Sequence, residues 1–294
     1  DWQRTSLGWC ELFDTIRVSP WRECVALLVL CRSPYWAHLN IPDDGRTVRF
    51  TLPPFNESEL DQALAQRKST RRVFASDVLH LMSRPRYFDL AFRLAGQVEE
   101  GGLTLERLIY EDWRDMTARK RQHTCSHDEF QALIAGLAGR YEERPFAINE
   151  FAQKAQDLGA GTAADLRHEF SSVGVLASQG FRLVITRRYL PLALGLVLAS
   201  EVEDSGANAA PAALDEVIAK RMGSYREADL QVRICGMALF HALNSEGYPE
   251  AGRLALLRAW VEGRNLNDDD LAKIAAYLPL RPATYLRLAE HVWG

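Results

Sequence analysis

Apolar residues fall into two kinds of pattern along the 294 positions: short runs near the start, then helical spacings for the remainder. Leu7, Trp9, Leu12, Phe13 and Ile16 make one helical face, broken by Ser19-Pro20-Trp21. Val25–Leu30 is an unbroken Val- and Leu-rich run of strand length, which fits a strand covered on both faces. It stops abruptly at Cys31-Arg32-Ser33-Pro34. Tyr35–Arg46 reads as a loop with the turn signal Pro42-Asp43-Asp44-Gly45. Val48, Phe50 and Leu52 then alternate with Arg49 and Thr51, which predicts a short strand ended by Pro53-Pro54. Residues 1–55 thus read as a small α/β piece.

Residues 56–125 read as helical. Asn56 with Glu59 three positions on predicts a capped helix start, continued by Leu60, Ala63 and Leu64. Val73–Leu81 predicts a second helix, and Met82–Phe88 opens a third that runs through Leu94. Thr104–Met116 predicts a fourth, whose Leu105, Leu108, Ile109, Trp113 and Met116 point to packing rather than chemistry.

The pattern changes over 126–205. Ser126 with Glu129 fits a capping box before Phe130, Leu133, Ile134 and Leu137. Ile148–Leu158 predicts a second helix, and Thr162–Asp165 caps a third that carries Leu166, Phe170 and Val173. Val175–Ser178, a turn at Gln179-Gly180, and Phe181–Ile185 predict a β-hairpin. Three helices followed by a hairpin is the element order of a winged helix. Tyr189–Val202 predicts a buried helix joined by the Asp204–Ala210 linker to residues 206–294. There Ala212–Met222, Ala228–Asn244, Tyr248–Val261, Asp268–Tyr277 and Tyr285–Trp293 predict helices in an α-hairpin array without a clean repeat period.

Composition narrows the function classes. Hydrophobic content of 47% with 25% charged residues is that of an ordinary globular chain, and a net charge of -4 gives no electrostatic case for nucleic acid or anionic membrane. Five cysteines, an odd number with no C-x-x-C pair, suggest neither a disulfide framework nor zinc and point to a reducing, cytoplasmic setting. No signal peptide and no apolar run of membrane-spanning length is expected. The histidines form no metal-ligand pattern, since His123 and His127 lack a third ligand at usual spacing. No G-x-S-x-G or other hydrolytic constellation stands out.

VALLVLCRSPYW at Val25–Trp36, with VRFTLPPFNESEL at Val48–Leu60, resembles the sensor-1 segment and lid entry of STAND-type P-loop NTPases, the NACHT-like and bacterial antiviral branch of the AAA+ superfamily. The downstream order of elements is similar as well. The resemblance implies a mainly α chain with a small α/β remnant: the C-terminal part of a P-loop NTPase sheet, a helical lid, a winged helix and an α-hairpin array. It also implies a chain that begins after the P-loop, because no G-x-x-x-x-G-K-[ST] is present.

The resemblance makes Arg32 a sensor of the terminal phosphate, placed at the carboxyl end of a strand where ligands gather. Position alone favours the plainer reading of Arg32 as the first solvated residue after a core strand. Pro85 holds the place of the lid proline that meets adenine, although Ser83 stands where the family motif has Gly. Pro85 also suits a helix start in its own right. Arg84 and Arg86 flank it as candidate phosphate contacts. In many STAND proteins a His opens the helix after the wing; here Arg187 or Arg188 is the nearest analogue. Asp1 is either a Walker B acid or an arbitrary first residue. ATP or ADP with Mg, a homo-oligomer on activation and an unidentified protein trigger follow from the resemblance. Two rival readings remain: a non-enzymatic helical scaffold, and a winged-helix DNA-binding regulator, for which Arg167 and His168 beside Asp165 and Glu169 make a poor recognition helix.

Overall fold

A computed structural model describes residues 53–96, 103–119, 127–142, 144–158, 163–172, 174–205 and 210–264, together with Glu11 and Thr15. Arg32, the Val25–Leu30 run, the expected strand at Val48–Leu52, and the expected helices at Asp268–Tyr277 and Tyr285–Trp293 lie outside the described residues.

The described chain is mainly helical, with one small three-stranded antiparallel sheet. Helix α1 (Glu57–Gln66) opens with the expected capping box. Glu59 N–H donates to Asn56 Oδ1 at 2.9 Å, and Asn56 N–H donates back to Glu59 Oε2 at 2.8 Å. These bonds satisfy donors that a helix start leaves without partners.

The helix expected over Val73–Leu81 is corrected. Arg71–Val73 forms a single 3-10 turn, Phe74 is extended, and α2 spans Ser76–Met82. Arg71 explains the break: its Nε donates to Asp61 at 2.6 Å and its Nη2 to the Glu57 carbonyl at 3.0 Å, which ties the turn to α1. Extension then delivers the Phe74 ring to Phe92, with centroids 5.4 Å apart. Helix α3 (Pro85–Ala95) starts on its proline, and α4 (Leu105–Arg119) follows.

The next elements are α5 (His127–Tyr141), β1 (Phe146–Ala147), α6 (Ile148–Asp157), α7 (Ala163–Ser172), β2 (Leu176–Gln179) and β3 (Arg182–Ile185). The strands lie in the order β1-β3-β2. Strand β1 has no counterpart in the sequence reading. The hairpin turn is also one residue later than expected: Gln179 pairs with Arg182, so Gly180-Phe181 forms the loop. Gly180 has φ +61 and Phe181 does not share it, the requirement of a type II′ hairpin turn. The core beneath the sheet is aromatic, with Phe130 stacked on Phe170 at 3.8 Å and Phe151 edge-on to Phe170 at 5.9 Å.

Helix α8 (Leu190–Asp204) is buried on nearly every side from Leu190 through Leu196. It packs on α5 and on α10 (Ala228–Asn244), which in turn packs on α4 and on α11 (Glu250–Arg264). Helix α9 (Pro211–Met222) lies against α8 and α11. Gly195 permits the α8–α10 approach. A Cβ there would stand 2.6 Å from Met237 Cβ and 2.8 Å from the Ala238 backbone nitrogen. Trp113 of α4 joins the parts, 4.9 Å from Phe130 of α5 and 6.2 Å from Tyr189 ahead of α8. No helix among the described residues is long and apolar enough to cross a membrane.

Candidate functional site

Candidate residues far apart in sequence meet where α3, α4 and the start of α8 converge. Each is delivered by local structure. On the α3 side, Ser83 caps α2, and its carbonyl accepts from Phe55 N–H at 2.7 Å. Arg84 is extended at φ -92, ψ 124, and Pro85 then fills the first helical position. Pro lacks the N–H that would be orphaned there, which accounts for Pro85 without a ligand. Both Arg84 and Pro85 are exposed.

On the α8 side, Thr186 fixes the chain leaving β3. Its N–H donates to the Val175 carbonyl at 2.8 Å and its hydroxyl to the Gly174 carbonyl at 2.7 Å. Its own carbonyl accepts from Tyr189 and Leu190. The resulting turn holds Arg187 exposed, Arg188 half-buried and Tyr189 buried.

Asp112 of α4 sits at the centre, its side chain 3% exposed. Arg86 donates to it through Nε at 2.8 Å and Nη2 at 2.7 Å. The Tyr189 hydroxyl donates to its second oxygen at 2.9 Å. Arg188 Nη1 donates to the hydroxyl of buried Tyr87 at 3.1 Å. A buried carboxylate is tolerable only when its lone pairs are met in this way. Burial pushes the phenols of Tyr87 and Tyr189 well above the ordinary range, and the Asp112 charge adds to it. Burial alone would lower the Arg86 guanidinium, but the charge of Asp112 and the neighbouring phenols carry it upward instead. Tyr87 and Tyr189 are therefore held as neutral phenols and Arg86 as a charged guanidinium.

Two arginines, Arg86 through Asp112 and Arg188 through Tyr87, thus tie the start of α3 to α4 and to the turn before α8. Other acids of α3 and α4 are engaged with other arginines: Asp89 with Arg67 at 2.7 Å, Glu111 with Arg114 at 3.2 Å, and Asp115 with Arg93. Arg84 and Arg187 are exposed and adjoin this network in sequence, beside Pro85-Arg86 and Arg188. Of the residues singled out in the sequence, Arg86 and Arg188 enter this network, while Arg84, Pro85 and Arg187 adjoin them in the chain and are exposed. Asp112, Tyr87 and Tyr189 were not singled out. The signal for Asp112 was there: it falls four positions after Leu108 and next to Trp113, on the apolar stripe of α4.

Among the described residues no group of three His, Cys, Asp or Glu side chains is arranged to hold a metal ion. Cys235, in the middle of α10, is a buried free thiol. No family model matches the chain, and neither a curated protein nor a solved structure matches it.

Proposed function

We propose that this chain is the central switch module of a STAND-like nucleotide-regulated protein, with residues 126–205 as a winged-helix domain that closes with a helical lid over ADP or ATP. The observation that supports this reading is that Arg86 and Tyr87, at the start of α3, meet Arg188 and Tyr189, which follow the hairpin, in one network about Asp112. Two further features support it: the order α5-β1-α6-α7-β2-β3, and the β1-β3-β2 sheet with a tight hairpin. The fit to nucleotide is to its phosphates, through the exposed guanidiniums of Arg84 and Arg187. Asp112 is committed to Arg86 and Tyr189, so it is no candidate ligand for Mg. Arg32 as phosphate sensor, Pro85 against adenine, homo-oligomerisation, a defence or signalling role and a cytoplasmic location all belong to this proposal and rest on the resemblance.

In this mechanism the junction is a two-state element. Nucleotide shifts it only by binding one arrangement more tightly than the other. A bound phosphate would compete with Tyr87 and Asp112 for Arg188 and Arg86, which gives the ligand a direct hold on how α3 and α4 seat against α8.

The test is to purify the protein at its natural length, denature it and chromatograph the supernatant for nucleotide. About one equivalent of ADP, lost in R84E/R187E, is the expected result. An empty protein that also ignores added ATP supports the second reading, a helical scaffold. One observation favours that reading: Arg86 and Arg188 already have protein partners.

A further inference from the structure

We draw no further inference here: the strongest candidate, the exposed ring of Phe181 at the tip of the β2–β3 hairpin, is a single apolar side chain, and nothing in the structure shows what covers it.

Discussion

The guanidinium of Arg188 reaches the hydroxyl of Tyr87 at 3.1 Å across 101 positions of sequence. The contact fastens the residue that follows the hairpin to the first turn of α3. Next to it, Asp112 gathers Arg86 and Tyr189. Two neighbouring residues on α3 and two neighbouring residues before α8 are thus held in one small network about α4.

Removing the central acid should therefore loosen all three elements. Asp112→Ala leaves the buried Tyr189 hydroxyl without its acceptor and Arg86 without its counter-charge. Breaking a buried pair costs about 3–5 kcal/mol, and Arg86, with its side chain 39% exposed, brings the expectation to the lower end. Tyr189→Phe removes one hydrogen bond and should cost about 1 kcal/mol. Urea unfolding of the two variants and their combination checks this. The double variant should lose less than the sum, because the groups share one network.

Two glycines should respond to alanine in opposite directions. Gly195→Ala forces a methyl to 2.6 Å from Met237 Cβ and 2.8 Å from a backbone nitrogen, so α8 and α10 must move apart. That overpacking should cost roughly 1–3 kcal/mol net. Gly139→Ala on α5 meets only Val197 methyls at 3.6 and 3.8 Å, which is ordinary contact. Its gain in helix propensity should stabilise by up to about 1 kcal/mol. Thermal melts of the pair, read against the parent, decide both signs.

Alkali should weaken the fold before acid chemistry is considered. Burial pushes the Cys235 thiol up from 9.0 to about 12, and the Tyr110 phenol up from 10.0 to about 12. Both groups hold their proton more tightly folded than unfolded. Their contribution is complete below the unfolded pKa and is lost as pH rises through the folded one, over roughly pH 9–12 for Cys235 and 10–12 for Tyr110. Each should add a slope of up to about 1.4 kcal/mol per pH unit inside its window. Urea midpoints at rising pH should fall accordingly, and Cys235→Ala should flatten the part of the fall that begins first. An unchanged slope in that variant would remove Cys235 from the account.

At the entrance to α1, Asn56→Ala removes the acceptor for Glu59 N–H and should cost about 1 kcal/mol. Hydrogen exchange at the Glu59 amide should quicken more than exchange in α10, since the loss is local.

Helices with a strong apolar stripe were legible from sequence alone. Ala228–Asn244 was bounded to the residue, and Tyr189–Val202 was recognised as buried. The Asn56–Glu59 cap was legible because its chemistry is local. Strand β1 was not, because two residues carry no period and Phe146 and Ala147 become a strand only by pairing with Leu183 and Arg182. The break at Phe74 was hidden for a similar reason: the Arg71–Asp61 pair that causes it joins two elements. At the junction, Arg86 and Arg188 were singled out through resemblance and position, but their partners Asp112 and Tyr87 were not. Asp112 was overlooked among the acids of α4, where a carboxylate on an apolar stripe was the sign of a buried partner to arginine.

Helix α8 shares ten buried positions between neighbours that precede it and neighbours that follow it. A protease that nicked the chain between Ser205 and Ala210 would divide the polypeptide without dividing the fold. The two pieces would stay clasped through the seam at Gly195 and Met237, and would part only in denaturant. Expressed alone, the piece ending at Ser205 would carry an oily stripe with nothing to cover it, and the piece starting at Ala210 would carry the matching stripe on α10. Mixed during refolding, the two are natural complements for reassembly.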